Sequence, residues 1–160
     1  MILKKKFHPE VKGAIAFGLM DGIAGFLGIV IGVYAAGFDQ FAIAAAALAG
    51  GIADSFANAA GTHVSQEVER GVSDKFVWRS TIAAFITTVI IAILLVIPIV
   101  LMELETGIII SFVLGLSILF FTGLFSIKSL RAATKYAGMG IAAAILGFLA
   151  GSLIKVILLK

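Results

Sequence analysis

Apolar residues run almost unbroken through five long stretches of this chain, at positions 13–36, 41–64, 80–102, 107–127 and 136–159, and polar residues collect in the breaks between them. A helix needs roughly 20 such residues to cross a hydrocarbon core about 30 Å thick, so each stretch is long enough to span once. The first break is only Gly37, Phe38, Asp39 and Gln40, which predicts a tight hairpin of the first two spans. The others cover 67–79, Glu103 to Glu105, and 128–135. A transmembrane barrel would show strands of about ten residues with alternating polarity, and the unbroken runs exclude it. The expected fold class is all-α: a polytopic membrane protein with five transmembrane helices in a single transmembrane domain over 1–160.

Composition agrees with that pattern. Of 160 residues 61% are hydrophobic and 13% charged, and the mean hydropathy of +1.18 is far above that of soluble domains. With no cysteine, any metal must bind through oxygen, nitrogen or thioether. The net charge of +3 is modest, and its distribution is more informative. Lys4, Lys5, Lys6 and Lys12 precede the first span, Arg70, Lys75 and Arg79 occupy the second break, and Lys128, Arg131 and Lys135 the fourth. The first and third breaks hold no Lys or Arg; Lys155 and Lys160 stand at the opposite side, where they can snorkel to the interface. The positive-inside rule then predicts a cytoplasmic N-terminus and a multi-pass protein of the cell membrane, if the source is prokaryotic. The first span is too long for a signal core and carries Asp21, so it is expected to be retained. The basic loops call for no nucleic-acid partner, because orientation and anionic lipid account for them.

Two acids lie deep within spans, Asp21 in the first and Asp54 in the second, at matching depth. A charge at the centre of a span costs at least about 2.5 kcal/mol, so such groups normally face a protein interior or an aqueous path. Gly18, Asp21, Gly25, Gly28 and Gly32 recur at steps of three or four, as do Ala47, Gly51, Asp54, Asn58, Gly61 and Ser65. Small-residue stripes are contact faces in membranes. If the two stripes face each other or a symmetry mate, Asp21, Asp54 and Asn58 converge on a site rich in oxygen ligands. Near the cytoplasmic end, His63 and Glu67 stand one turn apart, a spacing that could hold a metal at an entrance. Plainer readings stand beside these: Asn58 as a helix–helix hydrogen bonder, Asp54 as a neutral acid bonded to a backbone carbonyl, and the His63–Glu67 pair as a solvated helix end.

The run Gly18, Leu19, Met20, Asp21, Gly22 and the run Ala59, Ala60, Gly61, Thr62, His63, Val64, Ser65 resemble the vacuolar iron transporter family. The first matches the Asp-Gly pair of its Asn-Asp-Gly signature. The second stands where the family typically has Ala-Ala-Gly-Glu-Tyr-Val-Ser, and the spacing of the last two helices, with Lys128, Arg131 and Gly138, also agrees. The resemblance covers nearly the whole chain. It implies five spans with a cytoplasmic N-terminus, no enzymatic activity, and a homodimer that exports metal from the cytoplasm in exchange for protons near its axis. Asp21 matches the family's membrane aspartate. Three departures stand out: Asn58 replaces the usual Met, Thr62 and His63 replace Glu and Tyr, and the long acidic cytoplasmic insertion is absent. Asp54 and Asn58 would supply harder oxygen donors, which suit Mn²⁺ or Fe²⁺ as the transported ion and leave Mg²⁺ and Ca²⁺ open.

Two other classes are compatible with paired intramembrane acids. Paired intramembrane aspartates could form a protease dyad, but neither lies in a Gly-x-Gly-Asp setting. A membrane subunit or family relative without transport is the remaining alternative.

Overall fold

A computed structural model describes residues 9–69 and 72–158, so Lys4, Lys5, Lys6, Arg70 and Lys160 of the charge pattern lie outside the described residues. Five α-helices follow one another: α1 (Pro9–Ala35), α2 (Gln40–Val68), α3 (Asp74–Leu101), α4 (Leu104–Ser126) and α5 (Leu130–Leu158). All five are long and apolar enough to cross a membrane.

Several helices outrun the apolar windows. α2 continues to Val68 and α3 begins at Asp74, so most of what the sequence presented as a 67–79 loop is helical. Likewise α5 begins at Leu130, inside the fourth break. The physical reason is that a helix satisfies its own backbone hydrogen bonds and can extend beyond the hydrocarbon, with charged side chains on its projecting turns. Hydropathy marks where the oil ends, not where the helix ends.

α1 is the hub, packing against all four other helices, while α2 also packs on α3, α3 on α4, and α4 on α5. The last four therefore form an arc around α1, with α2 and α5 at its two ends. The core is built where α1 meets the arc: Ile23, Phe26, Leu27 and Val30 of α1 are buried with Ile43 and Ala47 of α2, Leu95 and Ile99 of α3, and Leu119 of α4. Outward faces are as apolar as the core, with Phe41, Phe56, Ile90 and Leu146 all exposed. That arrangement fits a lipid surround, where the bilayer covers what water could not.

The connections explain the hairpins. α1 ends in a Schellman turn: Gly37, with φ of +91°, donates to Tyr34 O and Phe38 donates to Val33 O, the pair of bonds that satisfies the last carbonyls of a helix. The positive φ requires glycine here. Lys155 of α5 lies beside this turn, its Nζ 3.5 Å from where a Cβ on Gly37 would stand, placing a cation at the negative end of α1. Asp39 then caps α2 by accepting from Ala42 N at 2.8 Å. Pro98 interrupts the hydrogen-bond ladder near the end of α3. Gln40 reaches across from α2 and donates to Ile99 O at 2.6 Å and Met102 O at 2.9 Å, supplying donors to an end that lacks them.

The glycine stripe of α1 is shared among several partners and does not face α2 as a unit. A Cβ on Gly18 would meet Ala84 O and Thr88 of α3, and one on Gly22 would meet Thr88 Cγ2. Gly28 and Gly32 instead face Ala143 and Gly147 of α5, and the carbonyls of Gly28 and Gly32 leave no space for a side chain on Gly147 or Gly151. Of the five stripe positions, Asp21 and Gly25 look toward α2, at Asn58 and Asp54. A stripe spaced three and four apart is wide enough to be divided between neighbours once the helix sits at a hub.

Candidate ion site

Asp21 is held on the buried hub helix, and Asp54 and Asn58 stand one turn apart on α2, so antiparallel packing of α1 and α2 brings the three to one level. The Asn58 amide nitrogen is 2.7 Å from Asp21 Oδ2 and 3.2 Å from Asp54 Oδ2. One NH₂ group thus has an acceptor for each of its hydrogens. Asn58 is 8% exposed; both carboxylates are half-buried. Gly25 is exposed beside them, with Asp54 Oδ2 3.6 Å from the position of an added Cβ.

Ser55 Oγ donates to Gly51 O at 2.6 Å, and Thr88 Oγ1 donates to Ala84 O at 3.0 Å. These hydroxyls are satisfied locally and frame the cluster without joining it. The cluster is therefore two carboxylates compensated by a single neutral amide. Two negative groups this close inside a span call for a proton or a cation between them. When a cation enters, Asn58 can turn its Oδ1 toward it, replacing two donors with one acceptor.

The other two sequence candidates, His63 and Glu67, stand apart from this cluster, about one and a half and two and a half turns beyond Asn58 along α2 toward the α2–α3 connection. Their nearest side-chain atoms, His63 Nε2 and Glu67 Oε2, are 4.0 Å apart, with Glu67 71% exposed. Thr81 Oγ1 donates to Val77 O and lies 3.1 Å from His63 Nδ1, so the imidazole is held between Thr81 on one nitrogen and Glu67 on the other. Trp78 meets the imidazole edge-on, ring centroids 4.7 Å apart. His63, Glu67, Val72, Asp74, Val77 and Trp78 line a cavity of about 210 Å³. Thr81 and Trp78 were invisible as partners in the sequence because only the α2–α3 register brings them to His63.

The five sequence candidates thus divide between two places. Among the described residues, no three His, Cys, Asp or Glu side chains stand close enough together to hold a metal ion between them.

A bundle of five membrane-length helices with a carboxylate–amide cluster inside its spans defines the class: an integral, multi-pass, α-helical membrane protein. No protein-family model, curated protein or solved structure matches the chain.

Proposed function

We propose that the protein is a homodimeric transporter of a divalent transition metal, Fe²⁺ or Mn²⁺, which exports the ion from the cytoplasm in exchange for protons. The observation that carries the reading is the meeting of Asp21 and Asp54, from two helices, on the amide of Asn58 within the spans. Carboxylates suit exchange because a proton and a cation compete for the same oxygens. Asn58 holds the pair together when no cation is present and offers a neutral oxygen when one is. His63 and Glu67, on the solvated end of α2, would meet the ion before it reaches the pair.

Exposure supports the dimer. Half-buried carboxylates beside an exposed Gly25 cannot stand open to hydrocarbon without a large cost. A second copy related by a twofold axis would cover that seam and double the ligand count, which in one protomer is low. The cytoplasmic N-terminus rests on the lysine and arginine distribution, and the cell membrane is the location this reading takes for a prokaryotic source.

The test is uptake of Fe²⁺ and Mn²⁺ into proteoliposomes under an imposed proton gradient. Asp21→Asn or Asp54→Asn is expected to lower gradient-driven flux by about 100-fold, the upper end for damage to a metal site. Absence of flux for either ion from folded, dimeric native protein would leave a non-transporting membrane subunit as the reading.

A further inference from the structure

Two buried polar atoms have no hydrogen-bond partner among the described residues: Gln66 Oε1 on α2 and Ser80 Oγ on α3. Ser80 is 0% exposed. Buried polar atoms are nearly always satisfied by protein or by ordered water, so each of these two calls for a partner.

Their place in the bundle follows from helix register. His63 lies against Thr81 and Gly51 against Ala92, which puts Ser80 level with His63 on α2, between Thr62 and Gln66. Asn58 lies against Asp21, Gly25 against Asp54 and Gly50 against Ile29, which puts the same level of α2 beside the first turns of α1. There Ala14 is buried, as is Thr62. Ser80 and Gln66 Oε1 therefore sit inside the α1–α2–α3 triangle, toward the end of the bundle that carries the α2–α3 connection.

Asn58, Thr62 and Gln66 follow one another at steps of four along one face of α2. Each step is about 6 Å, close to two hydrogen-bond lengths, so one water fits between successive polar groups. We propose that Gln66 and Ser80 hold a buried water that opens a hydrated path past Thr62 to Asn58 and the two carboxylates. Its ligand is water, and through water the proton. The path gives the carboxylate pair access to the α2–α3 end of the bundle, on the opposite side of Asn58 from Gly25. As a route for protons it rests on the transport reading; as a hydrated path it stands without it.

The sequence contains a single asparagine, so protein grown with ¹⁵N-asparagine shows one side-chain amide, that of Asn58. Its exchange with water, measured in lipid nanodiscs, reports hydration at the carboxylate pair with no transport involved. Native protein is expected to give a clear water-exchange signal. Ser80→Ala with Gln66→Met, which removes both orphan atoms at nearly constant volume, is expected to slow that exchange about tenfold, as two of the water's few partners are lost. Ser80→Ala alone, the gentler change, is expected to slow it less, with the Asn58 resonance unmoved. No measurable exchange in the native protein, or equal exchange in native and doubly substituted protein, overturns the path. If the path holds while proteoliposomes carry no metal, the hydration is real and the transport reading fails; the reverse pairing retires the path alone.

Discussion

α1 touches α5 and α2 through glycines on one continuous helix, yet the two contacts are opposites. Against α5, Gly28 and Gly32 meet Gly147 and Gly151 backbone to backbone, with no volume left for a Cβ on the α5 side. Against α2, Gly25 leaves its space to a carboxylate, and an added Cβ would stand 3.6 Å from Asp54 Oδ2, an ordinary contact. Where lipid offers no hydrophobic drive, close backbone approach is what holds helices together. The α5 crossing is thus an anchor. The α2 contact is apolar near its start, where Ile43 and Ala47 join the core, and polar only around Asn58, so it is at this level that the two crossings differ.

The largest effect should come from filling the anchor. Gly147→Ala with Gly151→Ala drives two methyl groups into the carbonyls of Gly28 and Gly32, and overpacking of this kind costs about 1–3 kcal/mol per site. Denaturant titration in detergent should show the doubly substituted protein destabilised by about 2–6 kcal/mol. A loss under about 1 kcal/mol would mean that α5 is free to shift, and the contrast with α2 would disappear.

Next in size is Asn58→Leu. It removes the shared donor and leaves two half-buried carboxylates facing one another, at an expected cost of about 1–3 kcal/mol. A bound divalent cation should restore part of that stability, since it takes over the amide's role. The check is the unfolding midpoint with and without Mn²⁺: native and variant should converge as the ion is added. An equal cost at every ion concentration would make Asn58 a helix–helix bond and nothing more.

Gln40→Leu should cost less, about 1–2 kcal/mol for two backbone carbonyls left without a side-chain donor. It lies at the far end of the α2–α3 contact from the carboxylates, so flux per folded molecule should be unchanged. That outcome separates general loosening of α2 from damage to the site.

The fold was legible in the sequence for a simple reason: a hydrocarbon solvent demands long apolar helices, and 13% charged residues leave few places for breaks. Helix ends were less legible at the basic side, because Lys75, Arg79 and Arg131 read as loop residues although α3 and α5 already include them. Asp21, Asp54 and Asn58 could be singled out because polarity in a span is expensive. The division of the glycine stripe could not, since a repeat of three and four says that a face is narrow without saying which neighbour it meets. Ser80 and Gln66 carried no signal at all; small polar residues near the end of a span are ordinary until the packing shows that nothing satisfies them.

Gly25→Ala is the smallest change and the one that tests the comparison most directly. Gly25 differs from Gly28 by less than one turn of the same helix, and helix propensity alone would make alanine the better residue by about 1 kcal/mol. Space at Gly25 is sufficient, so the unfolding midpoint should move by no more than about 1 kcal/mol, and in the stabilising direction. Destabilisation by the same substitution would mean that something else approaches Gly25 closely. Because Gly25 is exposed in the single chain, that approach would come from a second copy, and the dimer fraction measured by light scattering would fall along with stability. A stabilised protein with an unchanged dimer fraction would place the second copy elsewhere and leave the carboxylates to be covered in another way.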